Sequence, residues 1–170
     1  MFKLKIKVKN LADVIMPKAI TKGDWIDLRA SQTVEIPAAQ SGVLKQKKYR
    51  DVTAPVVMIP LGVAMQLPKG FEAILTLRSS SPKKFGIMQA NAIGVIDGSY
   101  NGDNDEWMLP VVPLESTTII KGERICQFRI QLSQKATFWQ KLKWFFSNGI
   151  EVVKVDSLNN KNRGGFGSTD

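Results

Sequence analysis

"MFKLKIKVKN", residues 1–10, alternates apolar and basic side chains with a period of two. An extended strand points successive side chains to opposite faces. Phe2, Leu4, Ile6 and Val8 therefore share one face, and Lys3, Lys5, Lys7 and Lys9 the other. The pattern predicts a half-buried strand, and it lacks the continuous apolar run of a signal peptide.

Similar short runs recur along the chain. Val34 and Ile36 predict another strand. Val56–Leu67 reads as a strand that passes Pro60. "LPKG" (67–70) turns the chain and "FEAILTLRS" (71–79) returns. "GIMQANAIGVI" (86–96) and "WMLPVVPLES" (107–116) predict strands on either side of a glycine-rich turn. "TTII" (117–120), the turn "KGE" (121–123), "RICQFRIQL" (124–132) and "IEVVKVDSL" (150–158) complete the series. Many short strands separated by turns predict an all-β sandwich, barrel or jelly roll.

Two stretches break the rhythm. "SGVLKQKKYRDVTA" (41–54) is polar and basic, with Lys45, Lys47, Lys48 and Arg50, and reads as a loop. "TFWQKLKWFFSNG" (137–149) spaces Trp139, Leu142, Phe145 and Phe146 as one face of a helix, with Thr137 to cap it and Gly149 to end it. The tail "NNKNRGGFGSTD" (159–170) is polar and glycine-rich and predicts a mobile segment.

Composition narrows the chemistry. The chain has 170 residues, enough for one domain with a sizeable core. Its net charge of +9 suits a polyanionic partner such as nucleotide phosphates, nucleic acid or an anionic membrane. There is no histidine, which excludes histidine bases, Ser-His triads and histidine metal sites. Catalysis must rest on carboxylates, Lys, Arg, hydroxyls or an oxygen-bound metal. Cys126 is the single cysteine, so no intrachain disulfide forms, which fits a cytoplasmic setting. The longest apolar stretch, "APVVMIPLGVAM" (54–65), is short and broken by prolines and a glycine, so no transmembrane span is expected.

The candidate chemistry centres on "GVIDGSYNGDNDEW" (94–107). Asp97 and Tyr100 lie three apart among Gly94, Gly98 and Gly102. Glycines let a backbone approach a ligand closely, Tyr100 offers a flat wall for a sugar or base, and Asp97 can take a proton from water. On its own the turn also suits a plain acidic hairpin. Four further segments carry polar groups in order: "GDWIDLRA" (23–30), "LRSSSP" (77–82), "GERICQF" (122–128) and "RGGFGSTD" (163–170). Arg78 can hold phosphate oxygens, and serine hydroxyls can donate to them.

These five segments in this order resemble the trimeric dUTPase family, deoxyuridine 5′-triphosphate nucleotidohydrolases, in the form found in Gram-positive bacteria and their phages. "GVIDGSYNG" (94–102) matches the family's third motif at every fixed position. The resemblance implies an all-β jelly roll over residues 1–162, with one short inserted helix, insertions at about 42–55 and 137–149, and a flexible tail, 163–170, that closes the active site. It implies hydrolysis of dUTP to dUMP and pyrophosphate, by water attack at the α-phosphorus with Mg2+. Asp97 would be the general base and Tyr100 would pack under the deoxyribose. The hairpin from Asn91 through Gly94, Val95 and Ile96 would bind uracil. Arg78, Ser79 and Ser80 would contact phosphates, and Gln127 would hold the water or α-phosphate. Asp27 would touch the metal through water, or steady neighbouring side chains. Arg163 would meet the γ-phosphate and Phe166 would stack on uracil. The family implies a homotrimer with shared sites. The inserted segments leave room for a protein partner and a regulatory role; nothing points to a membrane, and only net charge points to nucleic acid. The chain departs from the family pattern at Ser80, where glycine is usual, at Trp25–Ile26, and in the short "RGGF" spacing (163–166).

Overall fold

The computed structural model describes residues 2–41, 52–53 and 55–164. The basic loop around Lys45–Arg50, and Phe166 in the tail, lie outside the described residues.

The alternating first segment forms β1 (Phe2–Asn10), with Leu4, Ile6 and Val8 buried and the lysines Lys3, Lys5 and Lys7 exposed. Phe2 departs from the pattern, because the pairing register shifts between Phe2 and Leu4 and leaves its ring exposed. β1 pairs in parallel with β13 (Ser147–Val155) and antiparallel with β6 (Val57–Gln66). β10 (Glu106–Pro113) and β8 (Ile87–Gln89) complete a sheet of order β13-β1-β6-β10-β8. A second sheet has the order β2-β12-β7-β9, from β2 (Ile26–Arg29), β12 (Arg124–Leu132), β7 (Phe71–Leu77) and β9 (Gly94–Ile96). Two small pairs, β3 (Val34–Ile36) with β11 (Thr117–Ile119) and β4 (Gln40–Ser41) with β5 (Val52–Thr53), sit outside these sheets.

The apolar faces of the two sheets form one core. Trp107 of β10 is fully buried and meets Phe128 of β12 edge-on, with ring centroids 5.1 Å apart. Truncating such a buried aromatic costs about 3–5 kcal/mol. The jelly-roll-like, mostly-β architecture expected from the sequence is what the chain adopts.

Three local expectations change. "FEAILTLRS" (71–79) does not return beside β6. The turn at Gly70, whose φ of 85° favours glycine, carries the chain into the other sheet. "GIMQANAIGVI" (86–96) is two strands, β8 and β9, in different sheets, with a turn between them at Ala92 (φ 56°). Among the described residues there are two short helices rather than one, since α1 (Ser81–Phe85) follows the Arg78 turn, with Pro82 in its first turn and Gly86 as its left-handed cap.

The second helix, α2 (Phe138–Phe145), starts as expected at Thr137, whose hydroxyl accepts from the Gln140 N–H. The Gln140 side chain returns a bond to the Thr137 N–H, forming a capping box. The helix stops at Phe146 rather than Gly149, which lies within β13. Trp144 packs edge-on against Phe71 at 5.3 Å. Phe138, Trp139, Phe145 and Phe146 point into solvent.

Candidate functional site

The glycine-rich turn begins where β9 ends. Ser99 donates its backbone N–H to the Asp97 carboxylate at 2.7 Å, and Tyr100 donates its N–H to the Asp97 carbonyl at 3.0 Å. Gly98 is required here, because a Cβ would come within 2.8 Å of the Phe71 carbonyl oxygen. Hydrogen bonds from the Ser99 side chain and backbone hold the Asp97 carboxyl below its ordinary value; Arg163 and Lys135 add to the effect and partial burial opposes it. Asp97 is therefore an exposed, ionised carboxylate, able to orient a water and accept its proton. Tyr100 is half-buried against the core, and its hydroxyl donates to the Glu106 carbonyl at 2.9 Å, which fixes the ring. Burial is the main cause that pushes its phenol pKa up, so it stays neutral.

The hairpin Asn91–Ile96 is positioned by Gln89, a residue the motif reading passed over. Its amide donates to the Leu75 carbonyl at 3.1 Å and to Asn91 Oδ1 at 3.0 Å, and accepts from the Leu77 N–H at 3.2 Å. Gly94 is buried with Leu75 close against it, while Ile93 and Val95 expose their side chains. Gln89 thus locks the hairpin to β7.

A second cluster lies on the β2-β12-β7 sheet. Register places Gln127 between Asp27 and Thr76. Asp27 accepts from Arg78 Nε at 2.9 Å and from Arg124 at 3.2 Å. One carboxylate therefore aims two guanidinium groups, suited to phosphate oxygens. Ser79 and Ser80 are exposed in the turn before α1, whereas Ser81 is buried and donates to the Ile125 carbonyl at 2.7 Å. Cys126 is fully buried and its thiol pKa is pushed far up by desolvation and by Asp27, so it is not a nucleophile.

The tail is not free at its start. Residues 157–163 lie along the turn 101–105, held by Asp103 and Asp105. The sequence reading singled out neither aspartate, because no spacing signal sets them apart. Arg163 reaches Asp97 with its guanidinium at 3.7 Å.

The structure thus joins Asp97, Tyr100 and Arg163, and separately joins Asp27, Arg78, Arg124 and Gln127. It does not join the two groups. Ile96 pairs with Ala73, so Asp97 stands level with Glu72, whereas Arg78 follows the far end of β7. Six residues of extended chain separate them by about 20 Å.

No group of three or more His, Cys, Asp or Glu able to hold a metal occurs among the described residues. Both Asp27 oxygens are engaged by arginines. Asp27 therefore steadies Arg78 and Arg124.

No protein-family model matches the chain. The chain is 41% identical over 167 residues to the SPbeta prophage-derived deoxyuridine 5′-triphosphate nucleotidohydrolase of Bacillus subtilis (strain 168), covering 98% of each. It shares its fold with a Staphylococcus bacteriophage 80alpha dUTPase variant holding dUpNHpp, from work describing phage dUTPases that control transfer of virulence genes. The TM-score is 0.60 at 19% identity, over 78% of this chain and 93% of that one. It also matches a dUTPase variant from phage phi11 of S. aureus, described as coordinating a structural Mg(II) ion, with a TM-score of 0.58 at 17% identity, over 78% and 97% of the two chains. The chain is a two-sheet β protein with a carboxylate-tyrosine turn and an arginine pair on one carboxylate. The chain belongs to the dUTPase family.

Proposed function

We propose that this chain hydrolyses dUTP to dUMP and pyrophosphate, keeping uracil out of DNA and supplying dUMP. One observation supports this most directly: an ionised Asp97 is fixed on the glycine turn that also carries Tyr100, with Arg163 against it. Asp97 orients water for attack at the α-phosphorus and takes its proton. The Tyr100 ring lies under deoxyribose and leaves no space for a 2′-hydroxyl. Backbone groups of Asn91, Gly94, Val95 and Ile96 read uracil, and a wrong base leaves them unpaired. Arg78, with Ser79 and Ser80, binds phosphates; Gln127 lies between Asp27 and Thr76 to hold the water or α-phosphate. Arg163 meets the γ-phosphate and Phe166 stacks on uracil. Mg2+ bound to the triphosphate would neutralise its charge and polarise the reacting phosphoryl group.

Because Asp97 and Arg78 lie at opposite ends of β7, the complete site draws on more than one copy, in a homotrimer. No helix among the described residues is long and apolar enough to cross a membrane. The cytoplasm, of the host where a phage carries the gene, is the proposed place of action. The exposed aromatic face of α2 supports a second, regulatory role in binding another protein. Deleting residues 137–149 tests it; loss of the trimer instead assigns that face to assembly.

Pyrophosphate release from dUTP, against UTP, dTTP and dCTP, tests the activity. Asp97→Asn is expected to abolish turnover while still binding a non-hydrolysable dUTP analogue. Near-normal turnover in that variant overturns the assignment of the base.

A further inference from the structure

The acidic end of the glycine-rich turn holds a buried charge. Asp105 is 2% exposed. Its carboxylate accepts the Gly102 N–H at 2.7 Å and the Arg163 N–H at 3.0 Å on both oxygens. A carboxylate with so little water is tolerated only while its oxygens are hydrogen-bonded. Release of the Arg163 backbone would leave Asp105 with Gly102 alone among these donors.

Further bonds align the same stretch. Asp103 accepts the Leu158 N–H and the Ser157 hydroxyl, each at 2.8 Å, with Lys9 at 3.3 Å. Asn104 donates its N–H to Asn162 at 2.9 Å, and Asn160 donates to the Asn101 carbonyl at 3.3 Å. Arg163 is the last residue these bonds hold, and its guanidinium stands against Asp97.

We infer that Asp105 is a positioning residue for Arg163: it clamps the Arg163 backbone to the turn that carries Asp97, and so delivers the guanidinium to the reacting triphosphate. This rests on the roles proposed above for Asp97 and Arg163. Asparagine at 105 would turn an amide donor toward an N–H donor and lose one charge-assisted bond.

Kinetics of Asp105→Asn, Arg163→Ala and the double variant test the inference, together with amide hydrogen exchange. Asp105→Asn is expected to raise KM for dUTP about 10- to 100-fold, the worth of a hydrogen bond to a charged group. The double variant should be no worse than Arg163→Ala alone, since both changes act through one side chain. The Arg163 amide should lose exchange protection in Asp105→Asn while the β7 amides keep theirs. Additive losses, or a protected Arg163 amide, overturn the inference. Should Asp105→Asn fail to fold, Gly102→Ala reads the same contact, because its Cβ would press on the Asn162 backbone and lift the tail while Asp105 stays. An unchanged KM there also overturns it. If the wild-type protein releases no pyrophosphate from dUTP, the functional proposal falls, and hydrogen exchange alone still decides whether Asp105 anchors Arg163.

Discussion

Two inactive chains should restore one another. On the roles proposed above, Arg78→Ala removes a phosphate-binding guanidinium and Asp97→Asn removes the base, so each homo-oligomer should be inactive. The two positions lie about 20 Å apart along β7 in one chain, too far for their side chains to meet one substrate phosphate. Each site must then take Arg78 from one copy and Asp97 from another. When equal amounts of the two chains are unfolded together and refolded, each position is intact with a chance of one half. About one quarter of the sites carry both intact residues, so about 25% of wild-type pyrophosphate release returns. A site built within one chain would return none. Native mass spectrometry that shows mixed trimers, with no activity above either parent, would refute the shared-site geometry.

Four further outcomes follow from the structure. Asp97 is depressed below 3.8, so it is ionised at every pH above its lowered value, and kcat/KM for dUTP should fall only on the acid side of the ordinary carboxylate range; Arg163→Ala should shift that acid limb upward in pH–rate profiles. Asp103 is likewise depressed, mainly by the Leu158 N–H and the Ser157 hydroxyl. Its stabilisation should be complete above the unfolded value and fade as pH falls through the lower folded value, which acid unfolding of wild type against Asp103→Asn measures. Asp27→Asn keeps only one acceptor oxygen for two arginines and should raise KM for dUTP about tenfold, with the fold intact by circular dichroism. Thr137→Ala removes the capping box and should lower stability in urea by about 1 kcal/mol without changing turnover, because α2 supplies none of the site residues.

Strands with one wet face were legible because alternation is a local signal, as in the Lys3–Lys9 series of β1. The crossings between sheets were not. Nothing local in "GIMQANAIGVI" (86–96) says that Ile87 and Ile96 belong to different layers, since both are apolar and both are buried. α1 escaped notice because five residues are too few to show a helical period. The site divides the same way. Asp97 and Tyr100 share one turn and could be read from nine residues of sequence. The union of Asp27 with Arg78 and Arg124 depends on long-range register across β2, β12 and β7, which no single segment encodes. Asp103 and Asp105 carry no local signal, because their donors come from the distant segment 157–163.

The parallel pairing of β1 with β13 has a consequence for synthesis. Leu4, Ile6 and Val8 are made first, yet the neighbour that lies along most of their length, from Leu4↔Ile150 to Lys9↔Val155, leaves the ribosome only after some 145 intervening residues. Such a high contact order slows the final closure. Throughout that wait the newborn strand is an open edge, and the charges at Lys3, Lys5, Lys7 and Lys9 are what discourage it from zipping onto another nascent chain.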